Sequence, residues 1–368
     1  MKIIIDKSDL LKPLSHIQSV VERKNTIPIL SNVIIVANDD KLSLSATDMD
    51  IDILENINCS VINSGSVTVT AHILYDIVRK LNDGSEVEIE YNDGTASLTS
   101  NKSKFQLPVL PVEDYPTLSK GDFPINFKLT VGELRRLIDK TKFAISMEET
   151  RYYLNGIFIH KHEKNLVAVA TDGHRLARTT IPLPSGGEMI KGAIIPRKAI
   201  FEIRKLVEDY AEDSELSISL SESRIKICAG ETTITSKLID GNFPDYEKVI
   251  PVDNSNVLIL DCQSLSESVD RVSTIFSDKS KSVRMSLSPN KLTLDANSPD
   301  NGSASEEIEL NYSSEEIGIG FNARYLLDIT SQVGTGNIKI ALKDSGAPAL
   351  ITVPEDSESL FVLMPMRV

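Results

Sequence analysis

The sequence predicts an α+β protein of three similar domains, each with two helices and antiparallel sheets. Three observations predict it. The chain has 368 residues, more than one hydrophobic core usually organises. Alternating apolar and polar residues, broken by turn residues, recur three times as a β-meander. An amphipathic stretch of helix length stands before and after each meander.

The elements follow in order. The meanders are IIVANDDKLSLSATDMDIDI from Ile34, IFIHKHEKNLVAVATDGHRLARTTI from Ile157 and MSLSPNKLTLDANSPDNGSASEEI from Met285. Their period of two buries one face of each. The helices before them are DKSDLLKPLSHIQSVV from Asp6, LTVGELRRLIDKTKFAI from Leu129 and DCQSLSESVDRVSTIF from Asp261. The helices after them are AHILYDIVRKL, PRKAIFEIRKLV and NARYLLDITSQV, in which Asp76, Glu202 and Asp328 fall at equal intervals. Further strands close each unit, with hairpin turns expected at Asn92-Asp93-Gly94 and Ser345-Gly346. Turn-rich stretches give borders for domains 1–122, 123–251 and 252–368. The units are too long and too diverged for a solenoid.

Composition narrows the function. Apolar residues make up 41% and charged residues 25%, the balance of an ordinary globular protein. The start MKIIIDKSDLLKPL is neither a signal peptide nor a membrane span, so a cytoplasmic location is expected. Cys59, Cys228 and Cys262 are scattered and odd in number, which argues against disulfides and a thiolate zinc site. His160 and His162 share one face of a strand around Lys161, expected to be an exposed polar face. No metal or cofactor is expected.

A formal charge of −14 taken alone argues against nucleic acid, which is held by Lys and Arg. The distribution says more. Arg197 and Arg204, and Lys198 and Lys205, are seven residues apart and share one side of a helix, with Ile200, Ile203 and Leu206 on the other. Arg136 and Lys140, with Arg135 and Lys142, repeat the pattern; Lys12, Arg23, Lys24, Arg79 and Lys80 add to it. Acids such as Glu86, Glu88, Glu90, Glu306, Glu307 and Glu309 lie in strands and loops. A mildly basic helical surface and ordinary solvated helix faces both fit. There is no helix-turn-helix, zinc finger or aromatic row for reading sequence.

ATDGHRLA, Ala170 to Ala177, groups Asp172, His174 and Arg175 around Gly173. A hydrolase would carry a nucleophile on a strained turn, and none is present. The first unit keeps Thr47 and Asp48 in ATDMDIDI without a histidine, so the shared pair is turn chemistry. His174 and Arg175 belong to the middle unit alone. A hydrolase using His174 and Asp172, and a peptide-binding scaffold without DNA, remain as alternatives.

ATDGHRLA, RYYLNGIFI, IPRKAI, TSKLIDGNFPDYEKVIP, IGFNARYLLDI and the terminal VLMPMRV, with the early LLKPL and TIPILSNVII, resemble the bacterial DNA polymerase III β subunit family of sliding clamps, in order and over the whole chain. The resemblance implies the DNA clamp fold and a head-to-tail homodimer, a six-domain ring around duplex DNA, without catalysis. It implies a processivity factor, cytoplasmic and nucleoid-associated, that binds DNA without sequence preference. Its partners would be the replicative polymerase α subunit, the clamp loader, and other polymerases and repair proteins with clamp-binding peptides; no membrane is involved. The partner-peptide pocket would comprise Leu154, Thr171, Gly173, His174, Arg175, Leu176, Pro244, Val249, Val362, Met364, Pro365, Met366 and Arg367, with His174 and Arg175 as its polar edge. The DNA-facing set would be Lys24, Arg79, Arg151, Tyr152, Tyr153, Arg197 and Lys198. Lys104 and Phe105 of one protomer would meet Ile275 and Phe276 of the other. Glu148 and Glu149 depart from relatives that carry neutral residues before the arginine, and Ala347-Pro348 replace hydroxyl residues at the pocket margin.

Overall fold

The computed structural model describes residues 1–23, 25–116, 121–276 and 281–367. From the amino terminus, β1 (Lys2–Asp6) leads into α1 (Lys7–Val20) and the meander β2 (Asn32–Asn38), β3 (Lys41–Thr47) and β4 (Ile51–Asn58). Then come β5 (Ser60–Asn63), β6 (Gly65–Thr70), α2 (Ala71–Lys80), β7 (Glu86–Asn92), β8 (Thr95–Ser100) and β9 (Ser103–Leu110). The order returns as β10 (Ile125–Thr130), α3 (Val131–Asp139), β11 (Gly156–His162), β12 (Asn165–Thr171), β13 (Arg175–Pro182), β14 (Ala193–Pro196) and α4 (Arg197–Leu206). β15 (Glu215–Leu220), β16 (Arg224–Ala229) and β17 (Thr232–Lys237) close that segment. It returns again as β18 (Asn256–Asp261), α5 (Cys262–Ser273), β19 (Ser282–Ser288), β20 (Lys291–Ser298), β21 (Gly302–Glu309) and β22 (Ile317–Asn322). Finally come α6 (Ala323–Val333), β23 (Asn337–Leu342), β24 (Ala349–Val353) and β25 (Asp356–Leu363).

Local chemistry sets these elements. α1 buries Leu10, Leu14, Ile17 and Val20 along one stripe even though Pro13 lies inside it. An interior proline costs ~3 kcal/mol, while each buried aliphatic side chain returns ~1.5–3 kcal/mol, so the stripe wins. α3 starts on a capping box: Thr130 Oγ1 accepts from the Glu133 amide at 3.2 Å, and Glu133 Oε2 accepts from the Thr130 amide at 2.8 Å. Asp261 caps α5 and Asn322 caps α6. Asp93 and Gly94 take left-handed conformations between β7 and β8, as the hairpin reading expects. Gly346 does not; the link between β23 and β24 is held by Asp344, whose Oδ1 accepts from the Gly346 and Ala347 amides at 2.8 Å each.

The contacts form two compact units. The first comprises Met1–Leu134, Pro184–Met189 and Lys198–Leu238. Its sheet runs β10-β15-β16-β17-β4-β3-β2-β6-β9-β8-β7-β1-β5, all neighbours antiparallel. β17 joins β4 with Thr235 opposite Asp52. Above that joint His16 is buried, with Nδ1 2.6 Å from Glu55 and Nε2 3.1 Å from Asp209; Glu55 also accepts from Thr232 at 2.9 Å. On α4, Ala199, Ile200, Ile203 and Leu206 are buried as their spacing predicts.

The second unit comprises Arg135–Leu183, Ile190–Arg197 and Ile239–Val368. It holds a sheet of order β14-β11-β12-β13-β25-β24-β23-β18 and another of order β21-β20-β19-β22. Phe321 and Phe361 are its largest fully buried side chains. The middle third of the sequence therefore supplies strands to both units: an open edge leaves backbone donors and acceptors unpaired, and β17 is covered by β4 and β13 by β25.

Candidate functional site

ATDGHRLA ends β12, turns, and begins β13. Thr171 Oγ1 accepts from the Gly173 amide at 3.1 Å, and Asp172 Oδ1 accepts from the amides of His174 and Arg175 at 2.9 and 3.0 Å. The first meander has the same bonds: Thr47 Oγ1 with the Met49 amide, and Asp48 Oδ1 with the amides of Asp50 and Ile51. Gly173 has φ +87 and Met49 φ +78. The shared threonine and aspartate are a turn device. A Cβ on Gly173 would lie 2.8 Å from an Arg151 guanidinium nitrogen, so glycine lets the arginine approach.

Arg175, expected with His174 at the pocket's polar edge, is the more buried of the two. Its side chain is 10% exposed and fully committed. Nε donates to Asp172 at 3.1 Å, one terminal nitrogen pairs with Asp328, and the other donates to the Phe143 carbonyl at 2.6 Å. The guanidinium carbon lies 4.2 Å from the Tyr325 ring centroid and 5.2 Å from that of Phe143. Both oxygens of Asp172 accept bonds, from turn amides and from Arg175, and among the described residues no hydrogen bond joins Asp172 to the His174 ring. The His174 side chain stays exposed, and its carbonyl accepts from the Met364 amide at 2.9 Å.

The turn stands at the end of an apolar row. Leu176 lies opposite Thr171 on one side and Val362 on the other, and Val362 lies opposite Leu350. Two residues along, on the same sheet face, Arg178 lies between Val169 and Leu360, and Val169 faces Phe158. Val167, Val169, Leu176, Tyr246 and Val362 form one buried cluster, with Phe158, Phe243, Ile250, Leu350 and Leu360 packed against it. Phe243 stacks on Phe158 at 4.8 Å, and Phe158 on His160 at 4.9 Å.

His160 is therefore not on the exposed polar face that alternation suggested. Its Nε2 lies 2.9 Å from the Tyr246 hydroxyl. Burial holds the imidazole below its ordinary pKa, and burial pushes the Tyr246 hydroxyl up to about 12. His162 is exposed, 3.4 Å from Glu247.

Among the other expected pocket residues, Leu154 is buried, Pro365 half-buried, and Pro244, Val249 and Arg367 exposed. Met364 and Met366 are each 40% exposed, and the Met366 amide donates to the Gly320 carbonyl at 2.8 Å. Sequence reasoning missed Phe158, Phe243, Tyr246, Ile250, Leu350 and Leu360. Period-two counting from Leu176 and Val362 could have found Leu360; strand register finds Phe158 and Leu350, and only the packing of the segment after β17 finds Phe243, Tyr246 and Ile250.

The cations are less free than helical spacing suggested. Lys198 pairs with Asp48 and, at 3.1 Å, with Glu22. Lys205 donates to the Ser15 carbonyl at 2.7 Å, and Arg204 pairs with Glu208 at 3.0 Å. Arg136 pairs with Asp356, Lys140 donates to the Gln332 carbonyl and Lys142 pairs with Asp139, each at 2.5 Å. The basic face read along α3 is thus largely neutralised. Arg79 is exposed, 3.1 Å from Asp76 and over the Tyr75 ring. Arg151 pairs with Glu148 at 3.3 Å; Tyr152 is 54% exposed and meets Tyr153 edge-on. Arg197 is half-buried. Lys24 lies outside the described residues.

Residues 1–119 match the family model for the DNA polymerase III beta subunit, N-terminal domain; 128–245 match the central domain and 247–367 the C-terminal domain. The chain belongs to the bacterial β sliding clamp family. The beta sliding clamp of Caulobacter vibrioides is 46% identical over all of both chains, and that of Pseudomonas aeruginosa 36%. The crystal structure of the Bartonella birtlesii sliding clamp bound to griselimycin superposes with a TM-score of 0.98 at 45% identity, covering both chains fully. Membership of the β sliding clamp family places the chain in DNA replication.

Against this β sliding clamp background, Phe105 lines an open groove of about 900 Å³ with Ile73, Ile77 and Leu81. Lys104 is exposed, and Ile275 and Phe276 are half-buried. Among the described residues no group of His, Cys, Asp and Glu could hold a metal ion, and no helix is long and apolar enough to cross a membrane.

Proposed function

We propose that the protein is a non-catalytic processivity factor. Two copies close head to tail around duplex DNA, slide on it, and tether the polymerase α subunit, the clamp loader and other polymerases and repair proteins by their clamp-binding peptides. The domains are 1–122, 123–251 and 252–368. One observation carries the peptide-binding part: a row of apolar residues, Leu176, Val362 and Leu350, running across three strands beside the half-exposed Met364. Such a floor, lined by adaptable methionine, suits apolar side chains from several ligands. Leu154, Thr171, Gly173, His174, Pro244, Val249, Pro365, Met366 and Arg367 complete the pocket, with Arg175 bracing its turn.

Encirclement needs no base readout and only weak phosphate attraction. Arg79, Arg151, Tyr152, Tyr153, Arg197, Lys198 and Lys24 are the DNA-facing set. Tethering replaces tight contacts with high effective concentration. The groove at Phe105 receives Ile275 and Phe276 of the second copy, with Lys104 at its border.

Retention on DNA after loading tests this reading. Loaded protein should stay on nicked circular DNA and run off the same DNA once linearised. Equal loss from both would refute encirclement.

A further inference from the structure

Most arginines around the groove end on an acid, as Arg175, Arg136 and Arg151 do. Arg178 does not. Its Nε is shut off from solvent without a hydrogen-bond partner, and no described residue brings a carboxylate within ion-pair distance of it. The strand register sets it between Val169, a member of the buried apolar cluster, and Leu360, packed against that cluster. The acid on the neighbouring strand, Glu358, is bonded instead to the Thr180 hydroxyl. Arg178 is half-buried: its Nε has lost hydration without gaining a bond, while its terminal nitrogens are not shut off from solvent, and a carboxylate can meet those with paired, charge-assisted bonds.

We infer that Arg178 is an anion subsite beside the groove floor, taking a carboxylate from a docked peptide. This rests on the peptide-groove reading above. Arg178 follows Leu176 by two residues on one face of β13, a spacing of ~6.6 Å. An extended peptide whose apolar side chain sits on Leu176 and Val362 brings its next one or two residues over Arg178. The carboxylate is either an acidic side chain there or the end of the peptide chain. Tyr246 and His160 lie close enough for Arg178 to disfavour positive charge on the imidazole, while Glu247 acts on the same ring in the opposite sense.

Fluorescence anisotropy with the full-length protein tests the subsite on three labelled peptides. All carry Gln-Leu-x-Leu-x-Phe, the peptide type that the family resemblance implies: one ends in an amide, one in a free carboxylate, and one has an Asp after Phe and then an amide. At least one carboxylate peptide should bind about ten-fold tighter than the plain amide. Arg178→Gln should abolish that difference and leave the plain amide peptide unchanged, while Arg178→Lys should keep part of it. Tightening by the free end alone assigns the chain terminus as the source, and by Asp alone the acidic side chain. Equal binding of all three peptides to the unmodified protein, or a difference that survives Arg178→Gln, overturns the subsite and leaves the groove standing. No binding of any peptide overturns the groove reading, and the subsite falls with it.

Discussion

Arg175 lies over Tyr325, its guanidinium carbon 4.2 Å from the ring centroid, while it bonds Asp172 and Asp328. It ties the turn after β12 to α6 through partners 153 residues apart in sequence. Removing it would leave Asp172 and Asp328, whose side chains are 15% and 31% exposed, without their shared cation. Arg175→Ala should cost about 3 kcal/mol of stability, read as a lower urea midpoint. An unchanged midpoint would show that the stack and ion pairs contribute nothing.

His174 and Met364 should separate from Arg175 in that experiment. Both are exposed and joined only through the His174 carbonyl and the Met364 amide, which side-chain truncation leaves in place. His174→Ala and Met364→Ala should each weaken the plain amide peptide by about five- to thirty-fold with the urea midpoint unmoved. Full affinity in both variants would remove these residues from the pocket.

Charge reversal should distinguish an exposed cation in a surface pair from one shared by two acids. Arg79 is exposed, so Arg79→Glu should reduce the salt dependence of DNA binding by about one counterion without loss of stability. Lys198→Glu should do the same and also lower the melting temperature, because Asp48 and Glu22 would lose their shared partner. If both variants keep the native salt slope, these positions do not face DNA.

His160 gives the protein a stability that falls on mild acidification. Burial holds its folded-state pKa below the ordinary value of 6.5. As pH falls through 6.5 the unfolded chain takes up a proton that the folded chain resists, so stability is lost until the folded-state value is passed and is level below it. His160→Gln should flatten that part of the pH profile. A slope between pH about 7 and 5 identical in both proteins would assign it to other groups.

His16 holds α1 to Glu55 and Asp209 from a buried position. His16→Ala would leave Glu55, which is 5% exposed, with Thr232 as its remaining bond. The cost should be about 3 kcal/mol, larger than that of Lys12→Ala. Lys12 also reaches Asp209, but from a side chain 58% exposed, where an ion pair contributes ~0–1 kcal/mol. Equal effects from the two substitutions would contradict this ranking.

Much of this was legible in the sequence. The three meanders, the helices around them, the capping residues and the turn at Thr171-Asp172-Gly173 follow from period and side-chain chemistry within a few residues. Glycine's tolerance of positive φ and the aspartate's reach to amides two and three residues on are local facts. Other readings failed for one reason. Helical spacing put Arg136 and Lys140 on one face but could not show Asp356 and the Gln332 carbonyl waiting there. Alternation put His160 and His162 on one face but could not show Phe158 and Tyr246 covering the first.

The sequence by itself determined the order of helices and meanders, the turn that ATDGHRLA makes and the family it belongs to. Only the tertiary structure decided which charges are spent on one another, that Leu176, Val362 and Leu350 form one row, and that Arg178 stands beside it without an acid. Periodicity says which way a side chain points. What it meets depends on strands brought together from more than a hundred residues away, and burial then sets whether a charge there must find a partner.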